Sequence, residues 1–115
     1  NCQSFWLNIA HIHGVDIYFD KVSSLPVQVL NWHDQHTRPT LNDAKKSFDG
    51  IVCGGLKQWE TLVNATPHVV TQEALRAIDA TQGERFILGT GCVLPVTAPY
   101  ANILAVRESV EKGYH

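Results

Sequence analysis

Surplus charge, long apolar runs and paired cysteines are all scarce in this 115-residue chain, and each scarcity removes a class of function. Nine Lys and Arg against eleven Asp and Glu leave a formal charge of −2. That balance offers no basic patch to a nucleic-acid backbone or an anionic membrane, so neither partner is expected. No apolar stretch approaches the roughly 18–20 residues of a membrane-crossing helix. The opening Asn1-Cys2-Gln3-Ser4 has neither the charged start nor the cleavage pattern of a secretory signal. Cysteine occurs three times, at Cys2, Cys53 and Cys92, an odd count at wide spacing. A disulfide framework is not expected from it, and a reduced, cytoplasmic chain is. An initiator methionine is also missing, and an apolar run begins almost at once, so the chain reads as a piece of something longer.

What is present is ordinary globular composition: 44% hydrophobic and 17% charged residues argue against disorder. Low-complexity tracts and linkers are lacking, so residues 1–115 are expected to form one domain-like unit.

A pattern repeats four times along it: a β-rich run, a polar or Gly/Pro-containing loop, then a stretch of helical period. The first run is Phe5–His13, ended by Gly14, with a short amphipathic helix predicted over Asp16–Ser24. The second is Val27–Trp32 behind Pro26, followed by a helix over Leu41–Phe48 with Thr40 as its N-cap. The third is Gly50–Leu56. After it the spacing predicts a helix over Pro67–Thr81, with Thr66 as cap, Pro67 at the first position and Gly83 as the stop. Its apolar stripe is Val70, Ala74, Leu75 and Ile78. The fourth run is Arg85–Cys92, and the last helix starts at Thr97-Ala98-Pro99 with Ile103, Val106 and Val110 as its stripe. Strands alternating with helices predict an α/β fold with a parallel sheet and right-handed crossovers. Periodicity suits a small open sheet and half of an eight-fold barrel equally.

Val29-Leu30-Asn31-Trp32, Leu41-Asn42-Asp43-Ala44-Lys45 and Ile51–Leu56 resemble successive units of the uroporphyrinogen decarboxylase superfamily. Leu88-Gly89-Thr90-Gly91-Cys92-Val93-Leu94-Pro95 with Ala98–Ile103 looks like that family's last strand, loop and helix, and His11-Ile12-His13-Gly14 like an earlier strand tip. The resemblance implies the C-terminal half, the fifth to eighth β-α units, of a TIM (β/α)₈ barrel, with the N-terminal half absent. It also implies one of two chemistries. One is removal of carboxylates from a tetrapyrrole without metal or cofactor. The other is methyl transfer from a corrinoid to a zinc-activated thiol, with a corrinoid protein as partner.

On these matched positions His11 and His13, two apart on a strand, project to one face. With Cys92 at the last strand's end they are the expected zinc ligands, leaving a fourth position open. Two departures bear on the choice. His13 stands where the methyltransferases carry cysteine, which leaves one thiolate fewer. Gly91 stands where the decarboxylases carry histidine. At the tip of the second strand, Trp32 is a candidate pocket wall, and His33 with Asp34 a candidate proton-transfer pair. Arg38 is a candidate grip for a substrate carboxylate or phosphate, and Gly55 allows backbone to approach a small-molecule substrate or a neighbouring strand. Metal-free substrate binding by the same residues, and a non-catalytic half barrel, stay open as readings. Either a missing half or a second copy is expected to cover the exposed strand edges.

Overall fold

The computed structural model describes residues 2–113. Within them four strands, β1 (Ile9–Ile12), β2 (Val29–Trp32), β3 (Ile51–Leu56) and β4 (Phe86–Thr90), lie side by side in chain order, every pair parallel. The connections hold α1 (Phe19–Val22), α2 (Leu41–Ser47), a π-helix (Gln58–Val63) and α3 (Pro67–Thr81), and α4 (Tyr100–Gly113) follows β4.

Strand alternation divides the side chains between two faces. Leu30, Trp32 and Val52, with Phe86 and Leu88, turn to the helix layer and pack on Leu41, Ala44, Phe48 and Ala77. Register then assigns the other face. His11 pairs with Asn31, Asn31 with Cys53 and Cys53 with Ile87, so these four cross the sheet as one row. No layer covers this row: His11 is exposed, and Asn31 and Cys53 are half-buried. It is the concave side of the sheet, and residues two further along lie at its mouth.

Most predicted elements are present, with shorter strands. The run from Phe5 pairs only from Ile9, and Phe5 and Trp6 stay exposed because the second strand has no partner for them before Val29. The helix predicted over 16–24 shrinks to Phe19–Val22. Tyr18 takes a left-handed φ of 48° that breaks the turn, while Ile17 and Phe19 anchor either side of it in the core. Helix α2 begins as predicted, the Thr40 hydroxyl accepting from the Asp43 N–H at 3.2 Å. Helix α3 matches its predicted span, capped by Thr66 and stopped by left-handed Gln82 together with Gly83. Leu75, however, is exposed.

Two features differ more. The π-helix over Gln58–Val63 lies in a stretch where the sequence pattern predicts no helix. It is held by tertiary bonds: Asn102 Nδ2 donates to the Leu62 and Ala65 carbonyls, and buried Glu73 accepts from the Lys57 N–H and Thr61 hydroxyl. The face of α4 that is buried deepest is Asn102, Ala105 and Ser109, not Ile103, Val106 and Val110. Small residues let α4 approach α3 closely. The apolar stripe instead lines, with Leu56, Leu88 and Leu94, a hollow of about 400 Å³ beside the edge of β4.

Candidate functional site

At the C-terminal end of the sheet, His11 ends up near the tip of β1, His13 just beyond it, His33 just beyond β2 and Cys92 in the loop after β4. One donor atom from each lies within 4.8 Å of the others. His13 Nδ1 and Cys92 Sγ are 3.9 Å apart. Donors around a tetrahedral zinc stand about 3.3–3.6 Å from one another, given zinc's usual bond lengths to nitrogen and sulfur. The set therefore needs only a modest contraction to close on an ion.

Register explains the convergence. His11 and Asn31 are partners, so His13 and His33, each two residues on, meet at the mouth on the same face, their ring centroids 5.0 Å apart. Gly91 supplies the last approach. A Cβ there would stand 2.8 Å from His33 Cα and 2.9 Å from the Trp32 carbonyl, so only glycine lets the Cys92 loop close over the tip of β2. The Thr90 hydroxyl then donates to the Cys92 carbonyl and folds the loop back.

His11 is held from behind by Asn31, whose Oδ1 lies 2.6 Å from its Nδ1. Asn31 Nδ2 donates to the carbonyls of Cys53 at 2.9 Å and Thr90 at 3.0 Å. His33 Nε2 is buried and lacks a hydrogen-bond partner among the described residues. Burial, with His13, His11 and His36 nearby, holds the His33 pKa below its ordinary value. Both influences favour the neutral imidazole, which is the form that donates a lone pair to a metal.

The remaining predicted residues divide. Trp32 cannot wall an open pocket: it has no exposed surface, its ring sits 5.0 Å from that of Phe19, and its indole N–H donates to the Pro39 carbonyl. The alternation that sends His33 to the mouth sends Trp32 into the helix layer. Asp34 is also buried, and it turns to β3 rather than to His33. Both its oxygens accept from the Gly55 N–H at 3.1 Å, and Gln35 donates to one at 2.7 Å. Burial, the largest influence, raises its pKa. Gly55 has a φ of +104°, and a Cβ on it would meet the Ala77 methyl at 2.5 Å, so its role here is close packing against α3. Arg38 is exposed beside a wide hollow lined by Val15–Phe19 and Thr37.

Sequence reasoning did not single out Asn31, and it read His33 for proton transfer rather than with the ligands. The available signal was the step of two from Asn31 to His33, matching the step from His11 to His13, but its use requires the register.

A family model described as uroporphyrinogen decarboxylase (URO-D) matches residues 7–113. Among curated proteins, no sequence matches. Of solved structures, 15 chains match, among them a methyltransferase from Methanosarcina mazei with a TM-score of 0.81 and 18% identity. The match covers 95% of this chain and 32% of that one, so the chain spans about a third of its length. The likeness is one of fold, and it makes the four parallel units part of a TIM (β/α)₈ barrel.

Proposed function

Because the chain belongs to the uroporphyrinogen decarboxylase (URO-D) family, we propose that it is the metal-holding portion of a superfamily enzyme that transfers a methyl group from a corrinoid to a thiol. The observation that carries this reading is the group His11, His13, His33 and Cys92, gathered within 4.8 Å, together with the His33 nitrogen that has no partner among the described residues. An unsatisfied buried polar atom costs about 1–3 kcal/mol, and a bound cation removes that cost. The donor set, three imidazoles and one thiolate, suits zinc.

A bound zinc supplies Lewis acidity that favours the thiolate form of a thiol, the nucleophile of a methyl transfer. The rest falls to the chain. His11, His13 and Cys92 would hold the ion from the two edges of the sheet, and His33 would offer a fourth nitrogen beside them, the donor nearest in kind to the open position that such chemistry keeps for its substrate. The single thiolate leaves the site less electron-rich than one with two. Asp34 braces the tip of β2 against β3 and keeps His33 in place.

Support for the decarboxylase alternative is weaker, because the position where that branch carries histidine is Gly91, which has no room for a side chain. The open concave face calls for a covering partner, either the missing N-terminal half or a second copy. The test is metal content. The protein is expected to bind about one equivalent of zinc, and His11→Ala or Cys92→Ala to lose it. A parent enzyme that turns over while free of metal would end the reading.

A further inference from the structure

We infer that Asn31 is a positioning residue: it fixes His11 in the tautomer with its proton on Nδ1, and thereby leaves Nε2 as the atom presented to the mouth. The inference deepens the zinc reading and rests on it only for its consequence for binding.

The argument begins with the amide itself. Nδ2 and Oδ1 of an asparagine are told apart by their partners. Asn31 Nδ2 faces two backbone carbonyl oxygens, Cys53 at 2.9 Å and Thr90 at 3.0 Å. Each of its two hydrogens has an acceptor. A flipped amide would set Oδ1 against both carbonyls and leave two acceptors facing a third, so the orientation is determined. Oδ1 accepts and cannot donate. Its 2.6 Å contact with His11 Nδ1 therefore requires a proton on Nδ1. In a neutral imidazole the lone pair is then on Nε2.

The bond to Thr90 adds rigidity. Asn31 lies on β2 and Thr90 on β4, with β3 between them. Strands two apart stand about 9.6 Å from each other in a flat sheet, beyond the reach of one asparagine. The tip of β4 must curl inward over β3 for the bond to form. One side chain thus ties His11 on β1 to the strand end whose hydroxyl holds the Cys92 loop. An amide is also suited to this task for a chemical reason. It remains an acceptor toward His11 at every pH, where a carboxylate would protonate and would repel the two carbonyls.

Nitrogen-15 NMR of histidine-labelled, metal-free protein reads the tautomer directly, about two pH units above the ordinary histidine pKa of roughly 6.5. The wild type is expected to show His11 as one form, protonated at Nδ1. Asn31→Asp, which loses both carbonyl bonds but still accepts from Nδ1–H, is expected to favour that form at a cost in stability, and Asn31→Ala to give a mixture. In the same proteins, cobalt(II) titration is expected to show affinity falling about 10–100-fold in Asn31→Ala, the usual range for loss of a ligand's supporting hydrogen bond. A wild-type His11 protonated at Nε2, or mixed, overturns the inference even if Asn31→Ala does not fold. So does an Asn31→Ala protein with wild-type tautomer and affinity. If the tautomer depends on Asn31 but no cobalt binds, the zinc reading fails and the positioning stands. Cobalt binding that needs His11 and Cys92, with a tautomer indifferent to residue 31, gives the opposite result.

Discussion

His13 Nδ1 lies 3.9 Å from Cys92 Sγ, although 79 residues separate them in the chain. The contact spans the full width of the sheet, from the loop after β1 to the loop after β4. Sulfur and imidazole are brought together by curvature of the sheet and by the absence of a side chain at Gly91.

Cys92 is the one sulfur in the set, so its loss has a spectroscopic signature. The cobalt(II) form is expected to show a sulfur-to-metal charge-transfer band that vanishes in Cys92→Ser. His33→Ala is expected to retain the band with weaker binding. An unchanged band in Cys92→Ser would place the sulfur ligand elsewhere.

The His33 pKa lies below its ordinary value when folded, chiefly through burial. Its contribution to stability is therefore complete above the unfolded pKa near 6.5 and is lost as pH falls through that value toward the folded pKa. Melting temperature of the metal-free protein is expected to drop as pH is lowered from 7 to 5 (about the range in which histidine titrates). His33→Leu is expected to flatten that slope; an equally steep profile in the variant would assign the slope to other groups.

Asp34 behaves in the opposite sense. Burial raises its folded pKa above 3.8, so its contribution is complete below that value and is lost as pH rises through the folded pKa. The ionised carboxylate is the costly form. Asp34→Asn keeps an acceptor for the Gly55 N–H and is expected to change stability at neutral pH by less than about 1 kcal/mol. Asp34→Ala orphans that N–H and is expected to lose about 1–3 kcal/mol. Urea denaturation of the two variants side by side checks the difference.

Gly91→Ala sets a methyl group against His33 Cα and the Trp32 carbonyl. Overpacking of this kind costs about 1–3 kcal/mol, and here the strain falls on two elements that carry ligands. The variant is expected to lose both stability and metal affinity. Loss of stability alone, with wild-type cobalt binding, would mean that the Cys92 loop can relax without leaving the cluster.

Exposed apolar side chains lie at both edges of the sheet: Trp6 before and Ile9 at the start of β1, and Ile87, Val93 and Val96 in or after β4. Uncovered edges of this kind favour association. Light scattering is expected to show concentration-dependent dimers or larger species. A monodisperse monomer across the concentration range would count against a covering partner.

Much of the helix layer was legible in the sequence because its signals are local. Thr66-Pro67 and Gly83 mark α3, and Thr40 marks the start of α2, through capping chemistry that needs only neighbouring residues. The π-helix was not legible, since Asn102 and Glu73 hold it from other helices. On α4 the apolar stripe is only partly buried, Val106 packing on the core beside a more deeply buried face, for a related reason. Asn102, Ala105 and Ser109 have the same spacing as the apolar set, and it is the close approach to α3 that selects the smaller residues.

The candidate site divides in the same way. By itself the sequence determined the alternation of strands and helices, the family resemblance, and that His11 and His13 share a face, because a strand's period of two is a property of the backbone. Tertiary structure alone decided that His33 joins them while Trp32 and Asp34 do not, and that Asn31 stands behind His11. Those outcomes depend on register between strands and on how tightly the β4 loop closes, which are settled by packing across the whole sheet.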